Sequence, residues 1–169
     1  MKPLLSFYIF AASLVLGQAA LAQSPTVTSQ LRAQRVEMLG GKEVLKPATD
    51  GKPGEVLEYS GTYRNGGSAA VDKLQATVPV PVGTTFIAGS AEPAQAQAST
   101  DGSRFAPMPL VRSVKQPDGS ERKEPVPLAE YRALRWDVGT LAAGRSAVVS
   151  LRVRIDSPAA APAATTAKP

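Results

Sequence analysis

Over residues 24–155 the chain alternates short apolar-periodic runs with clusters of Gly, Pro, Asn and Asp. Apolar residues recurring at every second position mark a strand with one buried and one wet face. The clearest run is 145–155. There Ala147, Val149, Leu151, Val153 and Ile155 share one face, and Ser146, Val148, Ser150, Arg152 and Arg154 share the other. A second run, 56–64, sets Leu57, Tyr59, Gly61 and Tyr63 against Glu58, Ser60, Thr62 and Arg64. Leu74, Ala76 and Val78 predict a third strand, stopped by Pro79-Val80-Pro81. Shorter strands are predicted at 84–88 and 103–106, and two N-terminal ones at 30–37 and 42–46, separated by Gly40-Gly41.

The punctuation between runs has its own chemistry. Asp50-Gly51, Asn65-Gly66-Gly67, Asp101-Gly102 and Asp118-Gly119 supply residues that tolerate positive φ. Gln116-Pro117-Asp118-Gly119 predicts a tight turn, with proline presetting φ and glycine taking the left-handed position. It would join 110–115 to 121–126, so residues 107–127 are expected to form a protruding hairpin. Residues 127–131 predict one helical turn with Pro127 at its start. About seven short strands with regular turn signals predict an all-β protein, an immunoglobulin-like β-sandwich.

The first 22 residues break this pattern and read as an export signal. Lys2 supplies the basic end, residues 4–16 an apolar run interrupted by Ser6 and Ser13, and Ala20-Leu21-Ala22 the small-x-small cleavage pattern. The run is too short to span a bilayer, which takes about 20 apolar residues. Cleavage before Gln23 removes 22 of the 169 residues and leaves 147, one domain's worth, with no transmembrane segment. The expected location is the periplasm or the extracellular space. Residues 157–169, rich in Ala and Pro, carry no core-forming side chains and are expected to be disordered. The domain is therefore expected over 23–156.

Composition narrows the chemistry. There is no cysteine and no histidine. Disulfides, thiolate metal sites, Ser-His and Cys-His nucleophiles and most zinc or copper sites are excluded. Paired carboxylates remain, with Asp101, Asp118, Glu121, Glu124, Glu130 and Asp137 as candidates, but two precede turn glycines and two lie in a mixed-charge run. No Asp-x-Asp cluster offers calcium its ligands, and no strand–glycine loop–helix context cradles phosphate. No catalytic residue, cofactor or metal is expected. The formal charge of +5, or +4 without Lys2, is spread along the chain; it suits solubility, and nucleic acid is not an expected partner.

An ordered series of motifs resembles the bacterial repeat family called domain of unknown function eleven. Pro53-Gly54, Leu57, Tyr59 and Asn65-Gly66-Gly67-Ser68 open it; Pro81-Val82-Gly83-Thr84-Thr85-Phe86 and Gly89-Ser90 continue it. Residues 136–144, Trp-Asp-Val-Gly-Thr-Leu-Ala-Ala-Gly, and the last strand close it. The resemblance covers roughly residues 44–155. It implies an immunoglobulin-like sandwich of secreted and surface proteins, with no catalytic residues, here in a single copy. It also implies that 107–127 is an insertion between strands that the family connects more briefly.

Two features bear on partners. Trp136, the only tryptophan, is sized for a sandwich core; a binding platform is the alternative. Arg152 and Arg154 share the outward face of the last strand, and Arg132 and Arg135 approach Trp136. If those strands are adjacent, the four arginines form a patch able to grip carboxylates or an acidic polysaccharide. The alternative is a solvated face whose charges discourage edge pairing. Three readings follow: a non-catalytic structural or interaction module contacting another envelope protein, a binder of acidic ligands, or a subunit that assembles by strand addition at an edge within 23–36. The oligomeric state is not readable.

Overall fold

The computed structural model describes residues 27–157. The expected signal segment 1–22 and the tail beyond Ser157 lie outside the described residues. Eleven strands follow in chain order. The first five are β1 (Val27–Leu39), β2 (Lys42–Pro47), β3 (Val56–Asn65), β4 (Val71–Pro79) and β5 (Thr84–Phe86). Then come β6 (Gln97–Ser99), β7 (Ala106–Pro107), β8 (Val111–Lys115), β9 (Glu121–Pro125), β10 (Ala133–Leu141) and β11 (Ser146–Ile155). Among the described residues one 3-10 turn, Leu128–Glu130, follows Pro127.

The protein is an all-β sandwich of antiparallel sheets. One has the order β2-β1-β3-β11-β5 and the other β4-β10-β6-β7, while β8 and β9 form a separate two-stranded ribbon. The alternation read from the sequence is the alternation of burial. Leu57 on β3 and Val149, Leu151 and Val153 on β11 turn inward with Phe86 of β5. They meet Ala76 and Val78 of β4, Ala98 of β6, and Leu134 and Trp136 of β10. Each such side chain, taken from water, contributes about 1.5–3 kcal/mol for the larger ones. Trp136 is 2% exposed, and its indole N–H donates to the Pro93 carbonyl at 2.6 Å, so it belongs to the core.

Three expectations need correction. Residues 103–105 are not strand; β7 holds only Ala106–Pro107, because Asp101 organises the preceding loop as an acceptor for the Ser103 and Arg104 N–H groups. The strand number was set too low. β10 hides from a period-two search because its pairing with β4 slips between Asp137 and Gly139 and again before Leu141. Like Gly66 and Gly67, Gly51 is read as a turn residue and does not take positive φ. It is small because a Cβ there would stand 2.3 Å from Cδ1 of Ile155. Gly119, by contrast, has φ +86 and closes the predicted turn, its N–H donating to the Gln116 carbonyl at 3.0 Å.

Candidate functional site

The four arginines of the expected patch do not meet. β10 and β11 belong to different sheets. Leu134 and Trp136 point into the sandwich, so Arg135 lies on the outer face of the four-stranded sheet; Leu151 and Val153 point inward, so Arg152 and Arg154 lie on the opposite outer face. Arg135 stacks over the Phe105 ring at 4.1 Å and donates to Gln97 Oε1 at 2.8 Å. Arg132 lies ahead of β10, and its guanidinium donates to the carbonyls of Ala129 at 2.7 Å and Tyr131 at 3.0 Å. Arg154 alone of the four is exposed on a sheet face.

Arg152 is taken up by the protein's own carboxylates. Its Nη1 donates to Glu43 Oε2 at 2.9 Å, Nη2 reaches the other oxygen of Glu43, and Nε donates to Glu58 Oε2 at 3.0 Å. A planar guanidinium fork suits two carboxylates at once. The Glu43 hydrogen bond, and then the one to Glu58, hold the guanidinium pKa above its ordinary value against the opposing effect of burial.

Glu43 reaches this position from an unusual place. β1 pairs with β3 only as far as Arg35↔Leu57, and with β2 only from Gln34↔Pro47 onward. The end of β1 and β2 therefore form an arm with two strands that leaves the sheet. Because Glu43 meets Arg152 of β11, the arm lies across the outer face of the five-stranded sheet. An open groove of about 900 Å³ results. It is lined by Val36, Met38 and Leu45 of the arm, by Ile87 and by the Glu43–Arg152–Glu58 cluster. The arm is braced by Lys46 on Glu37 at 2.7 Å, a contact that holds the Glu37 carboxyl below its usual range. Met38 and Leu39, beside the Gly40-Gly41 tip, are 68% and 63% exposed.

The second projection is the β8–β9 ribbon, in the form predicted for 107–127. Its base is fixed by Leu110 and Val126, both buried, with the Val126 N–H on the Leu110 carbonyl at 2.9 Å. The Leu110 N–H donates to the Tyr131 hydroxyl at 2.8 Å, and Arg112 pairs with Glu130 at 2.9 Å. Beyond the base the side chains are mostly exposed, with Arg112 opposite Glu124 and Lys115 opposite Glu121.

Five of the six candidate carboxylates, all but Glu121, hold turns or ribbons together. Asp101 accepts the N–H groups of Arg104 and Ser103, which set its pKa far below the ordinary aspartate value. Asp118 accepts the Ser120 hydroxyl and N–H and is lowered by them in that order. Glu124 pairs with Arg122, Glu130 with Arg112, and Asp137 accepts the Gly139 N–H at 3.1 Å. Among the described residues no three acidic, histidine or cysteine side chains gather where a metal ion would fit, and no helix is long and apolar enough to cross a membrane.

The arm-to-sheet tie was the feature hidden from sequence reasoning. Alternation places Glu58 and Arg152 outward, but only the register Glu58↔Arg152 and the bend of the arm make them partners of Glu43. Comparison with known proteins finds no family model that matches this chain, and no curated protein or solved structure similar to it.

Proposed function

We propose that this chain is an exported, non-catalytic interaction module of the periplasm or extracellular space, an immunoglobulin-like domain of the kind its motifs resemble. The observation that carries the reading is the pair of projecting ribbons. A ribbon of two strands is marginally stable alone. Here both are braced at defined points, the arm by Arg152 and the β8–β9 ribbon by Tyr131 and Arg112, while their outer side chains add nothing to the core. A fold that holds such ribbons out presents contact surface rather than a reaction centre. The absence of histidine and cysteine from the sequence and the structural engagement of the carboxylates support the same reading. Export rests on Lys2, the apolar run and Ala20-Leu21-Ala22.

The acidic-ligand alternative is weakened, because Arg152, Arg135 and Arg132 already have internal partners. The test is to replace residues 111–125 by a short glycine turn across the Leu110–Val126 hydrogen bond. The expected result is an unchanged melting temperature together with lost retention in the envelope or matrix fraction. Retention equal to the intact chain, after equal folding, overturns the ribbon's role. N-terminal sequencing of the exported chain should begin at Gln23, and an uncleaved product overturns the export step.

A further inference from the structure

Sheet edges are where an all-β protein is sticky, since each offers unpaired N–H and C=O groups. Most edges here are blunted. On β4, the Tyr63 hydroxyl donates to the Thr77 carbonyl and accepts the Thr77 N–H, plugging the edge. β5 has three residues, and β7 has two and ends in Pro107. β2 carries Lys42, Lys46 and Pro47. One stretch is the least protected: residues 27–33 of β1, which carry a single charged side chain, Arg32.

Its open groups can be assigned. The Ala33 carbonyl accepts the Ala48 N–H at 3.3 Å, so Ala33 faces the β2 side of the strand. Alternate residues of an antiparallel strand turn both backbone groups to the same edge. Val27, Ser29 and Leu31 therefore face away from β3, and β2 begins pairing only at Gln34. Among the described residues nothing pairs with them. The side chain of Leu31 lies on the face of Gly61, toward the sandwich interior, yet it is 50% exposed. β4 meets β3 through Tyr63 and Thr77, while Ser29 and Leu31 of β1 stay exposed on the same face.

We propose that residues 28–32 pair antiparallel with the same residues of a second copy, about a two-fold axis at Gln30, joining two five-stranded sheets into one. This deepens the interaction-module reading by naming the partner at this edge. The stretch is self-complementary in three respects. Ser29 meets Leu31, so the outward groups of these two residues pair with one another, and the ladder stops short of Ala33, whose carbonyl already takes the Ala48 N–H. The sole charge, Arg32, falls opposite Thr28, which keeps the two arginines apart. The two Leu31 side chains become diagonal neighbours on one face, within reach of each other. Length also matches. The onset of β2 at Pro47 and Ala48 limits the incoming strand, and a second copy is limited at the same point, its own β2 lying at the opposite end. So short a ladder buries less than the roughly 1,200–2,000 Å² of a stable interface, and association is expected at high micromolar concentration.

The test uses the exported chain after signal removal, by sedimentation equilibrium from 10 μM to 1 mM, together with engineered cysteines in a sequence that has none. The two-fold brings the Gln30 Cα atoms within about 4.5 Å, a spacing that a disulfide accepts. Gln30→Cys should cross-link on mild oxidation, and Thr28→Cys should not. Ser29→Pro removes an N–H that faces outward and leaves the ladder to β3 in place. It should abolish the dimer with an unchanged circular dichroism spectrum and melting temperature. If Ser29→Pro unfolds the chain, Leu31→Lys makes the same test through the side chain. A monomer at 1 mM without Gln30→Cys cross-linking overturns the proposal. So does a dimer that survives Ser29→Pro and leaves Gln30→Cys reduced. A monomer that instead binds an unrelated β-prone peptide at this edge overturns the second copy as partner, while leaving the interaction-module reading intact.

Discussion

The Tyr63 hydroxyl donates to the carbonyl of Thr77 at 2.7 Å and accepts the N–H of the same residue at 2.8 Å. One side chain of β3 thereby satisfies both backbone groups of a residue on the edge of the facing sheet. It does the work of a neighbouring strand at one position, and it ties the two sheets together.

Tyr63→Phe keeps the ring and removes both bonds. Because Thr77 is exposed, water replaces part of what is lost, and the expected cost is about 1–2 kcal/mol. It should appear as a lower urea midpoint with an unchanged slope. The freed edge should also raise light scattering on prolonged incubation at high concentration. A midpoint equal to that of the native chain would show that the hydroxyl contributes no net stability.

Tyr131 makes the corresponding bond at a dry site. It is fully buried, its ring is stacked on Phe86 with centroids 5.8 Å apart, and its hydroxyl accepts the Leu110 N–H at 2.8 Å. Tyr131→Phe preserves the stacking and leaves a buried donor without its partner, at a cost of about 1–3 kcal/mol. Hydrogen exchange should quicken first at Leu110, where the β8–β9 ribbon joins the body. Loss spread evenly over both sheets would place the role of the hydroxyl in the core rather than at the ribbon base.

These relationships divide what could be read from the sequence from what could not. The inward faces of β3 and β11 were legible because alternation is a local property, and Gly119 was legible because a tight turn is too. Asn65 was read as a turn residue. It does hold the corner between β3 and β4, its oxygen accepting the Gly67 N–H, but it is also wholly buried, its amide donating to the carbonyls of Ala69 and Leu141. Leu141 is 76 residues away, beyond any local signal. The arginine patch failed for the same reason. Which strands lie side by side depends on long-range pairing, and β10 and β11, close in sequence, belong to opposite sheets.

Arg152 carries a prediction about the arm. Its contacts to Glu43 are the ones that tie β2 to the face of β11. With a side chain about a third exposed, the pair is partly screened by solvent, so Arg152→Ala is expected to cost only about 1 kcal/mol of global stability. Its local effect should be larger. Hydrogen exchange over residues 36–45 should rise while β3 and β4 stay protected, and Glu43→Gln should act in the same direction more weakly. Added salt should move the native chain toward the variant, and unchanged protection of the arm in Arg152→Ala would mean that packing of Val36 and Leu45 holds it.

The loop at Asp101 makes the fold sensitive to acid. The N–H groups of Arg104 and Ser103 depress its folded-state pKa far below the ordinary value near 3.8. A depressed carboxylate adds stability that is fully present above the unfolded pKa and is lost as pH falls through the folded one. The contribution of Asp101 should therefore be constant from neutral pH to about pH 5 and decline continuously below pH 4. Asp101→Asn keeps an acceptor for the loop and removes the charge facing Arg104, whose Nε donates to it at 2.9 Å. The melting temperature of the variant should lie below that of the native chain at pH 7. The gap should narrow between pH 4 and pH 2, because only the native chain has a carboxylate at position 101 that takes up a proton on unfolding in that range. A gap that widens in acid would have the wrong sign for a depressed carboxylate, and would show that the loop is held by Ser99 and the backbone rather than by the charge on Asp101.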